Sequence, residues 1–234
     1  MSEMRGTILV WDFPTRTFHW LLALSFAGAY ATADLDGDRV LHALFGYTVA
    51  GLLAFRLFWA AAGTRYARWS GFTLSLRAAA DYVRALVAGR PQHYVGHNPL
   101  GSWSAVALLA ILAAATASGV GLLFEIGGDA MEELHEALAN AVLALVMVHV
   151  AGVLMSSAVH RENLVHAMVT GTKRGQSHQA AGASRPLVAL ALIVVVAAFW
   201  AGGFGAPGLR DNPGLIAAAM QADRGDHDDD DDDD

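Results

Sequence analysis

Residues 133–157 read ELHEALANAVLALVMVHVAGVLMSS, and this stretch decides the fold. Residues 137–155 are apolar except for Asn140 and His149. That is close to the roughly 20 residues a helix needs to cross hydrocarbon. His135 and His149 lie fourteen residues apart. Fourteen residues is nearly four turns, so both rings leave one face, about 21 Å apart along the axis. Ionisable groups inside a span are costly and default to a functional reading. One histidine near each membrane surface suits two stacked cofactors better than one.

The whole chain fits that start. Its 234 residues are 55% hydrophobic and only 16% charged, with a mean hydropathy of +0.39. Soluble domains carry about a quarter charged residues. An all-α integral membrane protein is therefore expected. Cysteine is absent, which excludes disulfides, thiolate zinc sites and iron–sulfur clusters. Histidine is the strong nitrogen ligand left for a redox metal. The net charge of −7 misleads, because residues 228–234 are seven consecutive aspartates. The first apolar run follows Arg16 and reaches full span length, so it reads as a retained helix and not a cleaved signal.

Five apolar runs qualify as spans: 15–33, 41–61, 103–124, 134–159 and 186–205. Basic residues orient them. The N-terminus carries Arg5 and Arg16, and Arg65, Arg68, Arg77, Arg84 and Arg90 lie between the second and third spans. Arg161, Lys173, Arg174 and Arg185 lie between the fourth and fifth. The opposite loops hold only Arg39, in DLDGDR, and none in EIGGDAMEE. The N-terminus is expected inside and the C-terminus outside. Residues 73–88 predict a short helix along the inner interface, within an interfacial segment of about 62–101. HRENLVHAMVTG, from His160, reads similarly, and residues 175–185 form a small polar linker.

This topology sets histidine depths. His42 and His135 fall at the outer level, His19 and His149 at the inner level. Each pair comes from two different helices, as when a bundle holds a cofactor in its core. Two axial imidazoles per haem iron favour electron transfer over oxygen chemistry. Haem propionates call for cations when buried. Arg56 follows His42 by fourteen residues on the same face, at the inner level. Arg16 precedes His19 by three residues and shares its side. Gly46 and Gly152 lie about one turn from His42 and His149 and would let a flat ring approach. Plainer readings compete with each: a helix–helix hydrogen bond for a histidine, snorkelling for Arg56, helix packing for the glycines.

Several stretches carry a resemblance. VWDFPTRTFHW, LHALFGY and FRLFWAAAGTRYARW, YVGHNPLGSW, and ELHEALANAVLALVMVHVAGVLMSS with HRENLVHAMVTG resemble the prokaryotic di-haem cytochrome b561 family. That family includes the b-type cytochrome subunit of nickel–iron hydrogenases and free-standing quinone-linked cytochromes b. The resemblance runs from about Val10 to Lys173. It implies a four-helix transmembrane haem-binding bundle over residues 1–174, with two b-type haems ligated by His19, His42, His135 and His149. The fifth helix (186–205) and the acidic tail (206–234) are extra to the family pattern.

The implied function is transmembrane electron transfer in the bacterial inner membrane, between the quinone pool and an extracytoplasmic partner such as a periplasmic cytochrome c. Quinone oxidoreductase activity would accompany it. The alternative is the membrane anchor of a hydrogenase-like dehydrogenase reducing quinone, and a third reading is a haem-free transporter or structural anchor. His93, His97 and Asn98 are candidates for a quinone or proton site; the plainer reading of Asn98-Pro99 is a helix start. His160, His166 and His178 read as surface residues. The tail reads as a disordered terminus, a docking lure for a basic protein, or a weak cation site. Lipid and a homodimer mate complete the expected partners, with no nucleic acid.

Overall fold

The computed structural model describes residues 6–33, 39–203, 205–206 and 209. Arg5, most of the DLDGDR loop and nearly all of the acidic tail lie outside the described residues, and so does every reading placed on them. The chain runs β1 (Gly6–Leu9), α1 (Phe13–Ala31), α2 (Arg39–Ala62), α3 (Leu76–Val87), α4 (Pro99–Leu123) and α5 (Gly128–His160). It continues through α6 (Leu164–Thr170), β2 (Thr172–Gly175) and α7 (Pro186–Trp200).

The protein is mostly helical, but the expectation of an all-α chain needs correcting. β1 and β2 pair antiparallel, with Gly6 opposite Gly175 and Leu9 opposite Thr172. This strand pair ties the start of the helical core to its end. Gly171, at φ 82°, turns the chain out of α6, and its carbonyl accepts from the N–H groups of Val10 (2.8 Å) and Trp11 (3.0 Å).

Helix starts follow their capping residues. Asp12 accepts from the Thr15 N–H at 2.8 Å and Pro14 fills the first turn, so α1 begins before the expected residue 15. Asn98 accepts from the Gly101 N–H at 2.7 Å and opens α4 onto Pro99. α5 extends to 33 residues, starting at Gly128 and not at 134, because the polar turn before Leu134 is helical too. α7 is shorter than expected: it ends at Trp200, and Gly202 follows with φ 78°.

Among the described residues, three helices have the length and hydropathy to cross a membrane: Val40–Ala62, Pro99–Leu123 and Gly128–His160. α5 packs along α4, and α1 packs along α2 with α7 laid against α1. α2 joins the two groups through α4. Phe18, Leu52 and Leu192 form one buried cluster, and Val49, Leu112 and Val142 another. α5 exposes Met147, Val148 and Leu154, which suits hydrocarbon as surroundings. α3 is the amphipathic helix the sequence predicts: Ala79 and Tyr82 are buried, while Leu76, Val83 and Val87 form an exposed apolar stripe.

Candidate functional site

α5 hugs α4 yet makes only slight contact with α1 or α2. The histidines stand in the space so left. At one end of the bundle, His42 of α2 faces His135 of α5, with ring centres 6.0 Å apart and planes at 82°. His42 Nδ1 lies 2.9 Å from the Ala29 carbonyl. His135 Nδ1 lies 2.9 Å from the Ala115 carbonyl and 3.0 Å from Ser118 Oγ. A ring nitrogen facing a carbonyl must carry the proton. Both rings therefore donate from Nδ1 and keep Nε2 as the lone-pair nitrogen, the arrangement that orients a metal-binding imidazole. Two imidazoles on opposite sides of one metal, each about 2.0–2.1 Å away, have ring centres about 6 Å apart.

α4 sets the His135 ring. A Cβ on Gly119 would sit 2.9 Å from His135 Cε1, so only glycine lets the ring lie flat there. Gly46 and Gly152 do the opposite. They are half-buried, yet a Cβ on either would meet nothing within 4 Å. Close helix packing does not explain them, and the room beside them would admit a flat ring.

At the opposite end, His19 of α1 and His149 of α5 lie within electrostatic range of each other. His149 Nδ1 is 3.4 Å from Ser104 Oγ. Among the described residues, the buried side-chain polar atoms without a hydrogen-bond partner are Thr15 Oγ1, Arg16 Nε, His19 Nδ1 and His97 Nδ1. Each such atom costs about 1–3 kcal/mol if left unsatisfied. Thr15, Arg16 and His19 share the first turns of α1, and His97 lies in electrostatic range of Arg56 and His149; the carboxylates of a haem would satisfy the Thr15, Arg16 and His97 groups there. The Arg16 guanidinium also donates to the Val169 carbonyl and covers the Phe13 ring at 4.2 Å.

Arg56 is buried and does not snorkel. It donates to the Ala67 carbonyl at 2.9 Å and lies near the Phe18 and Phe72 rings. Behind it sits Asp12, wholly buried. Asp12 accepts from Thr64 Oγ1 at 2.7 Å and Trp59 Nε1 at 3.1 Å besides capping α1. Sequence reasoning missed Asp12, Trp59, Thr64 and Gly119. Asp12-x-Pro14 does carry a helix-start signal that could have flagged the first.

His93, His97 and Asn98 divide. Asn98 caps α4 and donates to the Tyr82 hydroxyl at 3.2 Å. That hydroxyl is 3.3 Å from His160 Nε2, so His160 faces a partner and not only solvent. His93 lies 3.6 Å from Glu162, which also pairs with buried Lys173 at 3.0 Å. His97 stacks on Phe72 with centres 4.6 Å apart and meets Trp11 edge-on. Burial first, then the charges of Arg56, His149 and Lys173, push the His97 pKa down to about 3, so the ring is neutral at pH 7.

The family model of prokaryotic cytochrome b561 matches residues 10–171. The chain belongs to the prokaryotic cytochrome b561 family. It is also 24% identical over 215 residues to the probable Ni/Fe-hydrogenase B-type cytochrome subunit of Rhizobium leguminosarum bv. viciae. That match covers 72% of this chain and 90% of the relative. No solved structure matches.

A b-type cytochrome carries haem b, which sets aside the haem-free reading of the sequence. The residues fit the group. The cytochrome offers paired imidazoles with fixed tautomers, glycines facing open space, and orphaned polar atoms at one end of the bundle. In this cytochrome Gly119→Leu is expected to force the His135 ring out of place, as overpacking costs about 1–3 kcal/mol where a ring cannot yield. Haem content measured as the pyridine haemochrome should fall, while the helical circular dichroism stays. Unchanged haem content would show that the ring tolerates displacement.

Proposed function

We propose that this chain moves electrons across the bacterial inner membrane between the quinone pool and an extracytoplasmic redox partner, by way of two b haems. His42 and His135 hold the outer haem in this reading, and His19 and His149 the inner one. The observation that carries it is the outer ring pair: two helices, 6.0 Å, perpendicular planes, each Nδ1 on a carbonyl. Bis-imidazole haem supplies one-electron transfer and leaves no open coordination position. Arg16 and Arg56 are the cations for the inner carboxylates.

In the same reading α1 and α7 cross the membrane with the other three, giving four spans plus one. The basic residues put the N-terminus inside and the C-terminus outside. Quinone exchanges at the inner level. His93 with Glu162, then His160, Tyr82 and Asn98, mark a polar route for its protons.

The hydrogenase subunit relative supports a second assignment of the partner. A dehydrogenase bound at the outer face would deliver electrons and the cytochrome would reduce quinone. A periplasmic cytochrome c, attracted by the acidic tail, is the partner in the first assignment. Stable co-purification of a large subunit decides for the dehydrogenase; reduction of a basic cytochrome c by quinol, steeply salt-dependent, decides for the other.

The test of the haem assignment is a reduced-minus-oxidised spectrum with haem counted per chain. Two b haems per chain are expected. A single haem would overturn the two-level scheme, and a colourless protein from haem-replete cells would overturn both levels.

A further inference from the structure

On the side that the proposed orientation makes the inner one, bordered by His93 and His97, lies an open pocket of about 680 Å³. The loop after α2, the loop before α4, the end of β2 and the segment following it form its walls. Arg65 and Arg174 line it, with Tyr66, Ser70 and Gln176, and no aspartate or glutamate is among the lining residues. Glu162 stands just outside the lining, where it pairs with Lys173 at 3.0 Å, accepts from the Arg174 N–H at 3.4 Å and lies 3.6 Å from His93, so neither guanidinium faces it. The walls are built. Arg65 Nη1 donates to the His178 carbonyl at 2.9 Å, which fixes the guanidinium and leaves its other N–H groups for a ligand. Tyr66 Oη donates to the Gln179 carbonyl at 2.6 Å.

Two arginines without a facing carboxylate make an anion site. The surroundings say which anion. The same loop that lines the pocket carries Trp69 and Leu74, both exposed, and leads into α3 with its exposed stripe of Leu76, Val83 and Val87. Such a segment lies in the membrane interface, with its apolar side chains among the acyl chains. An amphiphile could set its headgroup in the pocket and its tails along this stripe. A soluble anion would use only the first half of that surface.

We propose that this pocket binds the phosphate of an anionic phospholipid. It requires no haem. The orientation proposed above enters only in choosing the leaflet, since basic pockets on the cytoplasmic side meet anionic headgroups.

The experiment uses the full-length, haem-loaded protein in detergent, with lipid retention read by native mass spectrometry. The probes are dioleoylphosphatidylglycerol, dioleoylphosphatidylcholine and inorganic phosphate. The expected result is retention of phosphatidylglycerol over phosphatidylcholine. Arg65→Gln with Arg174→Gln should weaken it about 30-fold, the effect of two near-surface arginines. Ser70→Glu keeps every hydrogen bond named above and places a carboxylate in the pocket, so its loss of retention cannot be blamed on a broken wall. Equal retention of the two lipids, or undiminished retention in Ser70→Glu, overturns the proposal. Binding of inorganic phosphate without retention of either lipid also overturns it and assigns the pocket to a soluble anion.

Discussion

His149→Ala is expected to halve the haem content, from two per chain to one. His149 lies within electrostatic range of His19, and its loss leaves His19, whose Nδ1 has no hydrogen-bond partner, alone at that end. The outer pair stands about 21 Å away along the same helix, with His42 and His135 held by Ala29 and Ala115. Sites so far apart, with no shared partner, act independently. The remaining haem should therefore keep the spectrum and potential of the outer one. His135→Ala should give the complementary result, and the doubly substituted chain should be colourless. His166→Ala, an exposed ring on α6, should change nothing. The pairing itself is tested by potentials: His19→Ala and His149→Ala must lose the same haem. Two full haems in His149→Ala would break the assignment of that residue.

Asp12→Ala should cost more stability than any other single change outside the haem ligands. Its carboxylate is wholly buried and accepts from Thr15, Thr64 and Trp59, with the buried Arg56 guanidinium in electrostatic range. Alanine leaves three donors unpaired and a buried cation without its counter-charge. Removing one partner of such a set costs about 3–5 kcal/mol. For a chain of this size that lowers the midpoint of thermal unfolding in detergent by roughly 10 °C. Asp12→Asn keeps an acceptor for the Thr15 N–H, so it should lose less than half as much. An unchanged midpoint in Asp12→Ala would show that the inner end is held by its apolar contacts alone.

The helices were legible because hydropathy and caps are local signals. Asn98-Pro99 opens α4, and the apolar run after Glu136 continues α5. The nearness of His42 to His135 and of His19 to His149 was legible for the same reason: fixed rise and pitch turn a residue's place in a helix into a height along it. The strand pair was not. β1 and β2 are four residues each, without alternation, and they meet only through a partner more than 160 residues away. Gly119 and Asp12 were hidden likewise. Nothing in the sequence near Gly119 says that α4 presents it to His135, and nothing near Asp12 says that Trp59 and Thr64 converge on it. The tie of Arg56 to Ala67 was hidden too, because it depends on how the loop after α2 folds back.

The strand pair also orders events during synthesis. Gly6 leaves the ribosome first and Gly175 long afterwards, and neither strand can form without the other. At about 5–20 residues per second, the first strand waits roughly 10–30 s for its mate. Every histidine of the two pairs has been made by then. The clasp therefore closes only after both histidine pairs and the helices that carry them have been synthesised.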